Sequence, residues 1–447
     1  MAEPAAADRA KKARSKFPRT YWVVIVMEFF ERFAFYGMMA FLADYFVKNV
    51  GNHEQWGALR TVLFMILYIV PILSGALAEK VGYKKVLGVA FLLMGAAYLG
   101  VGRSDYCREV LASAGFENMT AVPIFFAFMI VLGLGGGLFK PIISGTIARS
   151  TDETNSTVGF GIYYWSINVG SFLASLVAAH YVEQNNEEIM FIFAAVCVGL
   201  MLFNNFFFYR EPSKPGKIKS FADTASAIGT VFTNWRFIVL LVIFSGFWAM
   251  YNRSQDSALW LLSENYLDMT PVNDFVTSIG VKFHEDFQFR FNVAHVMTIN
   301  AGVIIVLQVV VSYLVRNAPP LPTMIVGIGL ATTFPLITAL STNPWLFVLG
   351  LVLFSIGEIT AYPKLISYVG LIAPRDKVAI YMGFVFLPIF FASMFFDIPN
   401  GWVWDELVVK NKDITTYWYI VAGLGVFTMV CLILYHKLLG KKLTFEK

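Results

Sequence analysis

Twelve apolar runs, each about as long as a helix needs to cross a bilayer, recur along the 447 residues and leave few other folds open to the chain. They lie near 21–47, 57–79, 85–102, 121–148, 158–182 and 189–209, then 236–263, 293–315, 322–340, 345–371, 378–399 and 416–436. In hydrocarbon every backbone polar group must be satisfied internally, so runs of this length predict helices. Composition agrees, with 57% hydrophobic and only 14% charged side chains. An even number of spans puts both ends on one side. Most of the 34 Lys and Arg residues then fall on that side, which the positive-inside rule makes the cytoplasm. The expectation is an all-α membrane protein with twelve transmembrane helices and both termini cytoplasmic.

Residues 1–20 read as a cytoplasmic tail, because the Ala- and Lys/Arg-rich segment lacks the apolar core of a cleavable secretory signal. Six-helix bundles are expected over 21–209 and 236–437, with a second tail at 438–447. The connection 210–235 opens REPSKPGKIKS, whose Pro, Gly and Lys content marks a linker. Its FADTASAIGTVF stretch reads as a short surface helix and leaves no room for two further spans. Outer loops near 103–120, 264–292 and 400–415 are longer than the rest. The three cysteines are too scattered for a disulfide framework or a zinc site. His284-Glu285 lacks the second histidine of a zincin, since Gln288 stands in its place.

Charge inside the apolar runs is the informative exception, because ionisable groups at membrane depth normally face a protein interior or a wet cavity. The first run holds Glu28, Glu31 and Arg32, spaced three and four apart so that all share one helix face, and Tyr36 extends that face by a turn. At about 1.5 Å per residue Arg32 lies near mid-bilayer. The fourth run reads GLGGGLFKPIISG and places Lys140 beside Pro141 in its middle. The fifth offers Tyr163, Tyr164 and Asn168, as ligand contacts or as glue between helices. In the seventh, Asn252, Arg253, Gln255 and Asp256 stand together, and an Arg253–Asp256 pair within the helix is one way to settle them. Asn300 lies in the eighth run. In the tenth, Glu358 stands one turn before Tyr362 and Pro363, an isolated acid that calls for a cation or a proton.

Together these segments resemble the proton-dependent oligopeptide transporter family of the major facilitator superfamily. Glu28-Phe-Phe-Glu31-Arg32-Phe-Ala-Phe-Tyr36-Gly37 is similar to its ExxERFxYYG signature, and Gly137-Leu-Phe-Lys140-Pro141 to its GLFKP. Tyr163-Tyr164-Trp-Ser-Ile-Asn168-Val-Gly170-Ser171 resembles FYxxINxGS, and Phe247-Trp248-Ala249 opens the seventh run as in the family. Gly357-Glu358 through Pro363, Ala373-Pro374 and Met382-Gly383 match later segments. Gly75 to Lys85, after the second run, resembles the superfamily loop motif, with Glu79 where Asp is usual.

The resemblance implies the major facilitator fold and proton-coupled import of di- and tripeptides by alternating access, with protons as the coupling ion and no other cofactor. It assigns the peptide carboxylate to Arg32 and Lys140, and proton coupling to Glu28, Glu31, Arg32 and Lys140. Asn168, Asn300 and Glu358 are assigned to the amine end, and Tyr36, Tyr68, Tyr164 and Trp248 to the pocket walls. Two departures bear on substrate: Phe35 replaces the signature's first Tyr, and Asn252-Arg253 replaces the usual acid and Gln of the seventh run. Asp256, one turn on, is the candidate substitute for that acid in answering Lys140. The rival reading is the same scaffold carrying a non-peptide anion or an amine-bearing solute. An intramembrane enzyme is disfavoured by the lack of HExxH or a nucleophile elbow. A monomer in the plasma membrane, with lipid and small solutes but no nucleic acid as partners, is expected.

Overall fold

A computed structural model of the chain describes residues 17–116, 120–151, 156–211, 229, 231–282, 285–286, 288–372 and 378–439. Among these residues all regular structure is helical. The first half comprises α1 (Arg19–Met39), α2 (Leu42–Asn49), α3 (His53–Val81), α4 (Tyr83–Val101), α5 (Ser104–Ser113), α6 (Ala121–Ser150), α7 (Ser156–Glu183) and α8 (Glu188–Phe207). The second half comprises α9 (Trp235–Ser263), α10 (Thr270–Gly280), α11 (Ala294–Leu314), α12 (Pro320–Leu340), α13 (Pro344–Ile372), α14 (Val378–Gly383), α15 (Leu387–Trp404) and α16 (Ile414–Leu438). Ten of the described helices are long and apolar enough to cross a membrane. The ten exclude α1 and α3, the first and second of the expected spans, which are nonetheless 21 and 29 residues long. In α1 the interruption is Glu28, Glu31 and Arg32, all buried inside the protein.

Three expectations are revised. The first run is not one helix: the chain breaks at Ala40–Phe41, and α2 turns aside to meet α9, where Trp260 Nε1 donates to the Ala43 carbonyl at 3.5 Å. The long loops at 103–120 and 264–292 contain α5 and α10. At 400–415 the helix continues to Trp404 and then widens into a π-helical turn over Asp405–Lys410. The tail 1–16 and most of the linker lie outside the described residues, as does Ala373-Pro374; of the expected surface helix, 229, 231 and 232 are described and are helical.

Within the first half α1 packs on α7 and α8, and α6 on α3 and α4; in the second, α12 packs on α13 and α16, and α9 on α15 and α16. The halves meet along α3–α15 and α7–α11. Glycine makes the first of these contacts close. A Cβ on Gly57 would run into the Asp397 backbone, and one on Gly401 into the His53 carbonyl. Backbone cannot yield as a side-chain tip can, so Gly57→Val should cost about 1–3 kcal/mol through overpacking. The expected result is a lower melting temperature of the purified protein; an unchanged one would refute the close contact.

After α3 the loop motif turns at Gly82, whose φ of 107° favours glycine. The turn is latched to the end of α8: Glu211 accepts from the Lys84 amide at 2.8 Å, and Lys84 Nζ donates to the Phe206 carbonyl at 2.9 Å.

Candidate functional site

The groups expected at membrane depth gather on the inward faces of the two halves. On α1, Arg32 Nε lies 3.2 Å from Glu28 Oε1, and its Nη2 is paired with Glu31. The Glu28–Arg32 pairing expected from four-residue spacing is formed, and the adjacent Glu31 joins it, so one guanidinium is held by two acids of its own helix. Gly170 of α7 permits the crossing here; a Cβ on it would meet the Phe29 carbonyl oxygen at 3.0 Å and Arg32 Cβ at 3.2 Å. The guanidinium carbon also sits 5.6 Å from the ring centres of Phe35 and Tyr36.

On α6, Lys140 Nζ lies 4.9 Å from the centre of the Tyr68 ring, with Arg32, Glu31 and Glu28 as its charged neighbours. Pro141 has no N–H to offer the Gly137 carbonyl. Ser74 of α3 supplies the missing donor at 3.1 Å, which ties the proline position to the neighbouring helix.

Across the interior, Glu358 Oε2 accepts from Tyr251 Oη and from Asn300 Nδ2, both at 3.0 Å. Asn300 also donates to Ser355 at 3.0 Å. Neutral donors from α9 and α11 thus fix the carboxyl, and no cation is among the hydrogen-bond partners described for it. Trp248 packs edge-on against Tyr251 and Tyr362, each at 5.1 Å. Tyr68 stacks on Phe386 of the other half at 6.0 Å. Tyr36 is an electrostatic neighbour of both Arg32 and Glu358, and Tyr362 of Tyr36, Tyr68 and Tyr164. Lys140, Tyr36, Tyr68, Asn168 and Glu358 are half-buried, and Tyr164 is 38% exposed.

Asn168 is turned back on its own helix, donating to the Tyr164 carbonyl at 2.9 Å. Asn252 Nδ2 is buried without a hydrogen-bond partner. Asp256 does not answer Lys140. It accepts from Trp56 Nε1 at 3.1 Å and pairs with Arg60 Nη1 at 3.2 Å. Nor does Arg253 pair with Asp256; it reaches Asp397 on α15, which also lies 3.6 Å from Arg60. All four of these charged residues are buried. Together they join α3 of one half to α9 and α15 of the other.

Beside this quartet Thr61 donates to the Ser393 carbonyl at 3.0 Å, and at the separate α7–α11 contact Asn292 donates to the Ala179 carbonyl at 2.7 Å. The cross-half contacts therefore cluster at the end that the loop charges assign to the outside. Sequence reasoning had singled out none of Arg60, Asp397, Trp56 and Tyr251. A signal existed for Asp397, a lone acid in an apolar run like Glu358. Arg60 fell within the expected second span and was open to the same argument.

The family model of the Major Facilitator Superfamily matches residues 22–396. A dipeptide and tripeptide permease A from Klebsiella pneumoniae is 26% identical over 242 residues, 53% of this chain and 45% of that protein. Its counterpart from Yersinia pestis is 30% identical over 202 residues, 44% and 37% of the two chains. The match thus spans less than half the length of either relative. Among solved structures, a POT family transporter in complex with a thioalcohol-conjugated peptide superposes with a TM-score of 0.72 at 19% identity, over 96% of this chain and 97% of that one. A POT family transporter in complex with 5-aminolevulinic acid gives 0.70 at 20%, over 94% and 96%. A nucleoside transporter gives 0.71 at 15%, over 93% and 99%, so the fold alone does not choose the solute. The relatives are permeases and transporters, not enzymes. With ten candidate spans and a family model covering most of its length, the chain is a multi-pass integral membrane protein of the Major Facilitator Superfamily.

Proposed function

We propose that the chain is a proton-coupled symporter that imports di- and tripeptides by alternating access, with twelve spans and both termini in the cytoplasm. The observation that carries this reading is the polarity of the interior. Arg32 and Lys140 stand on the first half and Glu358 on the second, with a half-buried aromatic lining between them. A short peptide is a zwitterion, and removing its two charges from water requires a cation at one end and an acid at the other. Arg32 and Lys140 take the carboxylate. Glu358, held by Tyr251 and Asn300, takes the amine, and Tyr36, Tyr68, Tyr164 and Trp248 border the side chains.

Coupling follows from the grip of Glu28 and Glu31 on Arg32. Protonating either acid removes one of the two charges holding the guanidinium and frees it for the peptide carboxylate. Loss of the proton to the inside restores the internal pair and displaces the peptide. Rocking of the halves about the α3–α15 and α7–α11 contacts alternates access, and the outer quartet closes one end. The likeness to dipeptide and tripeptide permeases and to a transporter solved with a conjugated peptide supports this reading.

The test is purified protein in liposomes with an inward proton gradient and labelled dialanine. Accumulation that collapses with a protonophore is expected; none, with another solute still bound, would favour the rival. Asn252, an unpartnered amide where the family carries an acid, keeps that rival in view. A second expectation concerns Glu358→Gln. A neutral amide leaves the peptide ammonium without its counter-charge, so dialanine uptake should fall by about 30-fold or more. A peptide blocked at its amine should be affected far less. Equal loss for both would remove Glu358 from the amine end.

A further inference from the structure

At the outer rim, two turns above Arg60, His53 bridges the halves through both of its ring nitrogens. Nδ1 lies 2.6 Å from Asp405 Oδ1 and Nε2 lies 2.9 Å from Glu264 Oε1. His53 belongs to the first half and both acids to the second. The placement is built rather than incidental. Asn52 and Gln55 form a reciprocal capping box that fixes the start of α3 at His53. Gly401 packs against the His53 backbone. Trp260 meets the ring edge-on at 4.5 Å, and Trp404 lies 6.0 Å away while its Nε1 donates to the same Glu264 oxygen at 3.4 Å. The residue is 5% exposed.

We propose that His53 is a proton-dependent latch that holds the outer end closed. The inference rests on the alternating-access reading above. A carboxylate only accepts, so contacts to two carboxylates require an N–H on both ring nitrogens, which only the imidazolium has. A neutral ring would turn a lone pair toward one of the acids. The other charges around it do not supply a substitute. On α2, Asp44 is paired with Lys48 at 2.8 Å, Glu54 on α3 is exposed, and Arg60, Asp256, Asp397 and Arg253 are engaged with one another deeper in. Opening the outer end would part His53 from both acids and put it in water, where it titrates near its ordinary value of about 6.5. The closed state therefore binds the proton more tightly than the open one. By linkage, lowering the pH favours closure and raising it favours opening.

The test uses spin labels at Ala114→Cys and Thr342→Cys, exposed outer-end positions on opposite halves, in the full-length protein in nanodiscs with Cys107, Cys197 and Cys431 replaced by serine. Without peptide, the closed-to-open ratio from pulsed distance measurements should rise at least about fivefold from pH 8 to pH 5.5. His53→Gln should flatten this dependence. So should Glu264→Gln combined with Asp405→Asn, which leaves the histidine in place and guards against a folding defect in the first variant. A native distance distribution that ignores pH, or a pH response that survives in both variants, overturns the latch. Failure here with dialanine accumulation intact overturns the latch alone. Distances that never change, even with peptide and a proton gradient, overturn alternating access as well.

Discussion

Arg32→Ala is expected to abolish dialanine accumulation in proteoliposomes while a protein of native size and helix content is still recovered. The guanidinium is buried midway along α1 and is held from two sides, at 3.2 Å by Glu28 and again by Glu31. On the function proposed above, removing it deletes the partner of the peptide carboxylate and, at the same time, the group whose release the proton controls. Loss of one member of a desolvated, hydrogen-bonded charge pair costs about 2–5 kcal/mol, or roughly 30-fold to several thousandfold in binding. Arg32→Lys keeps the charge but not the fork that reaches both acids, so it should bind peptide weakly and couple poorly. Glu28→Gln and Glu31→Gln should give the complementary result. Arg32 would stay available to the carboxylate, so downhill peptide exchange should continue while gradient-driven accumulation is lost. If Arg32→Ala accumulates dialanine at more than about a tenth of the native rate, the carboxylate site lies elsewhere.

The interior was readable because charge in an apolar run has to be explained locally. Glu28 and Arg32 are four residues apart, and helix geometry alone forecasts the contact that is found. Glu358 and Asn300 were legible as polar groups at depth, although their mutual hydrogen bond was not. What escaped is partner choice across helices. Arg253 has an acid three residues away in Asp256, yet each goes to a different helix, because α15 and α3 present Asp397 and Arg60 more closely. His53 and its acids are separated by 211 and 352 positions, and no local spacing encodes such a contact. The break at Ala40–Phe41 is likewise tertiary. The first run is apolar through it, and only the seat of α2 against Trp260 turns the chain.

Asp397 is the position where tertiary pairing makes the strongest demand. Its side chain is fully buried and faces two guanidiniums, Arg253 directly and Arg60 at 3.6 Å. With Asp256 the quartet is electrically balanced. Asp397→Ala leaves two buried cations against one acid, and breaking a buried pair in this way costs about 3–5 kcal/mol. The cost falls on the state with the outer end shut, since opening would separate Arg60 from the second half and admit water. The variant should therefore shift toward an outward-open form, melt at a lower temperature and lose accumulation. Thr61→Cys, placed where the native hydroxyl donates to the Ser393 carbonyl inside this seal, gives a direct readout. Its labelling by an external maleimide should be slow in the native background and many times faster with Asp397→Ala. Asp397→Leu combined with Arg253→Met removes one charge of each sign and leaves the Arg60–Asp256 pair intact. That pair of changes should recover slow labelling and most of the lost thermal stability, because replacing a buried ion pair with apolar groups is often neutral. Fast labelling that persists in the double variant would mean that shape rather than charge balance seals the outer end. Native labelling in Asp397→Ala would mean that the quartet seals nothing.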